Sequence, residues 1–131
     1  MRKVRIAVLV SGGGTNLQTL IDAIEKGDIN GRIEAVISDH EGAYALERAK
    51  KHNIKAVYIN RNQLSENLLP ELQKLNIELI VLAGFLSILD RELVKAYEGR
   101  IINIHPSLIP SFCGKGFYGE KVHKAALDYG V

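Results

Sequence analysis

The apolar positions of this chain fall into two alternating patterns. Continuous runs rich in Val, Ile and Leu occupy 4–10, 33–38, 56–59, 79–83 and 101–104. Strands buried on both faces of a parallel sheet have this appearance. Between the runs, apolar residues recur at helical spacing. Leu17, Leu20, Ile21 and Ile24 predict a helix that starts at Thr15 or Asn16, with Thr15 and Gln18 forming a capping box, and stops at Gly27. Ala45, Leu46 and Ala49 mark the inward face of a helix over 43–52, ended by Asn53. Leu68, Leu69, Leu72 and Leu75 mark another over 64–75, in which Pro70 is awkward and points to a later start. Asp90 is placed to cap a helix through Tyr97, and 118–129 reads as a last helix. Strands alternating with helices imply an α/β domain: an open parallel sheet with helices on both faces. No repeat, linker or low-complexity tract divides the chain, so residues 1–131 read as one domain.

Composition narrows the classes of function. The formal net charge of +2 comes from Lys and Arg spread along the chain, which argues against nucleic-acid and membrane-surface binding. The single cysteine, Cys113, allows no internal disulfide and suits a reducing, cytoplasmic compartment. Arg2 and Lys3 before an apolar run faintly resemble a signal peptide. The run is short, and 11–14 reads better as a strand-to-helix turn than as a cleavage site. No apolar run reaches membrane-spanning length.

The candidate chemistry follows the strands. Asn103 and His105 lie two apart where a strand enters a proline loop, so in extended chain they project to one side. Pro106 keeps His105 extended. An amide can donate to an oxygen that gains negative charge, and an imidazole titrates near neutrality and can carry a proton. A strand end whose Asn caps a turn and whose His is an ordinary surface residue has the same spacing. After the first strand, Ser11-Gly12-Gly13-Gly14-Thr15-Asn16 would bring backbone N–H groups and a helix N-terminus close to an anion; a tight turn needed only for packing reads the same way. A dinucleotide fingerprint from Gly12 requires glycine where Leu17 stands, and a Walker A loop requires a lysine that Gly14-Thr15-Asn16 lacks. A phosphomonoester fits better than a dinucleotide or ATP. In parallel sheets, ligands bind outside the carboxyl ends of the strands. The glycine turn, 84–89 and the Asn103–His105 pair therefore share one edge.

Taken together these residues resemble the phosphoribosylglycinamide formyltransferase family of purine biosynthesis. The matching stretches are Ser11-Gly12-Gly13-Gly14-Thr15-Asn16-Leu17-Gln18, Leu46-Glu47-Arg48-Ala49, Val81-Leu82-Ala83-Gly84-Phe85 and Asn103-Ile104-His105-Pro106-Ser107-Leu108-Ile109-Pro110. The resemblance implies a Rossmann-like fold and transfer of a formyl group from 10-formyltetrahydrofolate, the co-substrate, to the amine of glycinamide ribonucleotide. Gly14, Thr15 and Asn16 would hold the substrate phosphate. Leu86, Ser87, Ile88 and Leu89, with Asn103, would line the folate pocket. Asn103 would stabilise the oxyanion and His105 would act as general acid/base, with no metal. The family pairs the histidine with an aspartate in a segment that would follow Val131, so the chain is expected to be the N-terminal part of a longer enzyme. Ser87 stands where some relatives carry Arg, and 58–68 is shorter than usual.

Several residues invite other roles. His123 reads as a partly exposed helix residue, Cys113 as a small filler, Asp39 and His40 as a polar loop, and His52 as a cation at a helix C-terminus. Tyr118 with 114–119 suggests a mobile loop hinged at glycines. The rivals are another folate-dependent formyltransferase or a formyltetrahydrofolate hydrolase, or a non-catalytic phosphate-binding module that uses the glycine turn alone. Apolar sheet surface left uncovered would favour a homo-oligomer. The 131-residue chain is expected to show little transformylase activity on its own; robust turnover by it would refute the implied need for the later aspartate.

Overall fold

The computed structural model describes residues 2–104. The expectations at His105, Cys113, His123, 114–119 and 118–129 fall outside these residues. The described chain runs β1 (Val4–Val10), α1 (Thr15–Glu25), β2 (Gly31–Ser38), α2 (Tyr44–Lys51), β3 (Lys55–Tyr58), a 3-10 turn (Arg61–Gln63), α3 (Leu64–Lys74), β4 (Leu79–Leu82), α4 (Arg91–Ala96) and β5 (Ile101–Asn103). The α/β parallel sheet expected from the sequence is present, in the order β3-β2-β1-β4-β5. All four pairings are parallel.

From β1 the chain steps outward to β2 and β3, then returns past β1 to β4. Right-handed crossovers taken in opposite directions put their helices on opposite faces. Accordingly, Leu17, Leu20 and Ile21 of α1 and Ala45, Leu46 and Ala49 of α2 pack with Ile6, Val8 and Val10 on one face. Leu64, Leu68 and Leu72 of α3 and Leu93 and Val94 of α4 pack with Ala7, Leu9, Ile37 and Ile80 on the other. A register shift between Ile6 and Ala7 places Ala7 opposite Ala35, so Glu34 is passed over. That bulge lets Ile33 and Val36, an odd number of residues apart, enter the same core.

Two local expectations are corrected. Helix α3 does not start at Pro70; it starts at Leu64 and holds the proline inside. A proline within a helix costs about 3 kcal/mol relative to Ala. Burying Leu64 and Leu68 ahead of it recovers roughly 1.5–3 kcal/mol each. Pro70 is exposed, so the lost bond lies on the side open to solvent. There is also no capping box at Thr15. The N-cap is Gly14 in the left-handed region, without a side-chain cap, and the Gln18 side chain turns toward Asp22. Asp90 is the N-cap of α4 as expected, though its side chain makes no capping bond.

Leu72 is fully buried. Leu72→Ala is expected to lower stability by about 2–5 kcal/mol, and Pro70→Ala, two residues earlier on the exposed side, to raise it by about 1–3 kcal/mol. Urea denaturation of both variants checks the pair.

Candidate active site

Strands β1 and β4 are neighbours whose following loops belong to helices on opposite faces. The sheet order therefore has its topological switch point between them, the place where such sheets bind ligands outside the carboxyl ends of their strands. The ladder continues beyond the strands: Ala83 N donates to Leu9 O at 2.9 Å and Ser11 N to Gly84 O at 3.2 Å. Ser11 is buried, and its Oγ accepts from Leu86 N at 2.9 Å. The glycine turn and the loop after β4 are thus bonded directly to each other.

Gly14 is the glycine that sterics require. Its φ is 82°, and a Cβ there would lie 2.8 Å from the Ala45 Cβ. A Cβ on Gly12 or Gly13 would meet nothing within 4 Å. Packing therefore does not account for those two, and the turn stays open on its outer side. Thr15 and Asn16 form the first turn of α1, whose N-terminal N–H groups have no side-chain cap. Asn16 Nδ2 donates to Ile104 O across a long 3.5 Å. Its Oδ1 is buried with no partner among the described residues.

Leu86, Ser87, Ile88 and Leu89 lie on the loop after β4. Leu86 and Ile88 are 79% and 92% exposed, so this loop presents apolar surface to solvent. Phe85 and Leu89 anchor the loop in the core under α3 and α4. Asn103 ends β5 opposite Leu82. Ile104 is buried against the α1 side, and its N donates to Leu82 O at 3.0 Å. The glycine turn, the β4 loop and Asn103 therefore share one edge; His105, the next residue but one, lies outside the described residues.

The sequence reading missed the part played by Asp39. It stands in the loop directly after β2, as expected, but it is buried there and its side chain is fully enclosed. Ser87 Oγ donates to its Oδ2, and Arg61 Nη2 stands 3.8 Å from the same oxygen. A buried carboxylate needs such partners. It ties the loop after β4 to the tip of β2. The only sequence signal was an acid directly after an apolar strand. His52 was expected as a helix-terminal cation, and it does end α2. It also faces Glu25 Oε2 at 3.0 Å through Nδ1, with Gln18 Nε2 at 3.4 Å from its Nε2.

Fold and site together define an α/β domain whose glycine turn, β4 loop and Asn103 gather at a topological switch point. The family model described as formyl transferase matches residues 4–131, and the chain belongs to the formyl transferase family. It is similar to phosphoribosylglycinamide formyltransferase of Haemophilus influenzae, 42% identical over 133 residues, covering 97% of this chain and 63% of that protein. It is 35% identical to the chloroplastic phosphoribosylglycinamide formyltransferase of Vigna unguiculata, over all of this chain and 44% of that one. Among solved structures it is similar to glycinamide ribonucleotide transformylase 1 from Geobacillus kaustophilus, with a TM-score of 0.75 at 37% identity, covering 92% of this chain and 67% of that one. The chain spans about half to two thirds of the length of these relatives. Among the described residues no helix is long and apolar enough to cross a membrane.

Gly14→Ala is expected to lower stability by about 2 kcal/mol or more, from the left-handed φ and the overlap with Ala45. Gly13→Ala should stay within about 1 kcal/mol of the parent. Denaturant midpoints at constant slope separate the two.

Proposed function

We propose that this chain carries the substrate-phosphate half and the reacting edge of a phosphoribosylglycinamide formyltransferase. In this reading it moves a formyl group from 10-formyltetrahydrofolate to the amine of glycinamide ribonucleotide. The observation that supports it most is the Asn16–Ile104 hydrogen bond. Through it the head of α1 reaches the residue between Asn103 and His105, so an anchored phosphate and a reacting amine can belong to one small molecule.

The roles follow from the chemistry of each group. Gly14, Thr15 and Asn16 hold the phosphate with backbone N–H groups at the positive end of α1. Leu86 and Ile88 offer an apolar wall to the pterin, while backbone groups of Ser87 and Leu89 supply polar contacts at its edge. The substrate amine attacks the formyl carbon, and a new C–N bond forms. The Asn103 amide donates to the oxygen that becomes negative. His105 takes the amine proton and returns it to the folate nitrogen as that C–N bond breaks. The net change is one acyl transfer and one proton exchange, with no role assigned to a metal.

The same reading carries a cytoplasmic enzyme whose partners are its two small substrates. Glycinamide ribonucleotide should be accepted as the formyl acceptor. Release of formate into water at a comparable rate would instead favour a hydrolase. In the full-length protein, His105→Ala should lower kcat by about 10²–10⁴-fold and Asn103→Ala by about 10²–10³-fold, with substrate binding largely kept. Unchanged turnover in His105→Ala would favour a binding module that uses only the glycine turn.

A further inference from the structure

Two carbonyls of the glycine turn are held from behind by α2. Ala45 N donates to Gly12 O at 3.3 Å, and Arg48 Nε donates to Gly13 O at 2.7 Å. Among the described residues no peptide is cis. In a trans peptide the N–H points opposite to its own C=O. Drawing the Gly12 and Gly13 carbonyls toward α2 therefore turns the N–H groups of Gly13 and Gly14 away from it. They face the open side of the turn, where successive N–H groups make an anion nest.

We propose that Arg48 is a positioning residue for phosphate recognition, acting through the Gly13–Gly14 peptide rather than by touching the anion. This rests on the proposed binding of glycinamide ribonucleotide at the turn. Arg48 is already engaged on three sides. Its Nε is on Gly13 O, its Nη1 donates to Gln18 Oε1 at 3.2 Å, and its guanidinium lies over the Tyr44 ring at 4.9 Å. Gln18 is fixed in turn, because its Nε2 donates to Asp22 Oδ1 at 3.0 Å. Its amide oxygen therefore faces Arg48. A planar fork serves both acceptors at once, which a lysine ammonium on a flexible stem cannot match. The short approach of Gly14 to Ala45 and to the Arg48 side chain shows how closely α2 presses on the turn. The basic side chain also leaves a positive charge beside the anion without spending a donor on it.

The test uses the full-length protein with Arg48→Ala and Arg48→Lys. Steady-state kinetics give KM for each substrate separately, titration gives the Kd for inorganic phosphate, and the backbone ¹⁵N shift of Gly14 reports the bond to the preceding carbonyl. Arg48→Ala is expected to raise KM for glycinamide ribonucleotide and the Kd for phosphate by about tenfold or more, with KM for the folate within about twofold. The Gly14 ¹⁵N shift should move without ligand, and Arg48→Lys should recover part of each effect. If Arg48→Ala fails to fold, the same measurements on Arg48→Lys carry the test, with smaller changes in the same directions. An unmoved Gly14 shift, unchanged phosphate affinity, or an equal rise in both KM values would overturn the proposal. Should glycinamide ribonucleotide be refused while phosphate still binds and weakens in Arg48→Ala, the proposed reaction fails and the positioning role stands. Normal kinetics in Arg48→Ala on that substrate would sink the positioning role and leave the reaction intact.

Discussion

The pairing of β1 with β4 is the interaction on which the site depends. It joins two stretches far apart in sequence, in register from Ile6 with Leu79 to Leu9 with Leu82. Chain connectivity puts α1 and α2 on one face and α3 and α4 on the other. The loops that leave β1 and β4 lead to helices on opposite faces, which is what makes this position the switch point of the sheet. Bonds between Ser11 and both Gly84 and Leu86 keep the two loops together at the base.

Buried polar groups are distributed unevenly along the strands. Among the described residues, the buried polar side chains are Ser11, Ser38 and Asp39, all at the carboxyl ends of β1 and β2. Burial of such groups is unfavourable unless each finds a partner. Ser11 receives Leu86 N, Ser38 receives His40 N, and Asp39 receives the Ser87 hydroxyl. Each bond immobilises a loop segment near the candidate site. The polar groups that weaken the core at this end are the same groups that shape the loops, as expected where function departs from ideal packing.

The glycine turn follows a similar logic with backbone instead of side chains. A phosphate held by N–H groups needs those groups already aimed at it, because reorienting peptides on binding would weaken the complex. The aim is set by what lies behind the turn: the Ala45 backbone and the Arg48 guanidinium. Helix α2 packs through small residues, Ala45 and Ala49, and this lets it come close enough to make both bonds.

Strand and helix positions were legible in the sequence because each is a local pattern. Continuous apolar runs marked β1 and β4, and helical spacing marked α1 and α2. The order Asn103-x-His105-Pro106 together with the glycine turn carried the family resemblance, since those residue types at those spacings are written directly in the chain. Local rules failed where distant groups competed. Pro70 stays inside α3 because Leu64 and Leu68 find a core that no window of sequence displays. The capping box fails because Gly14, held against α2, is the N-cap in place of Thr15, and the Gln18 amide pairs with Arg48 and Asp22 instead. The burial of Asp39 was not legible because Ser87, its partner, lies 48 residues away. The sequence by itself determined the elements and the chemistry available. Tertiary structure alone decided which carbonyl Arg48 would hold, which hydroxyl Asp39 would receive, and that β1 and β4 would stand side by side, because those outcomes depend on long-range packing.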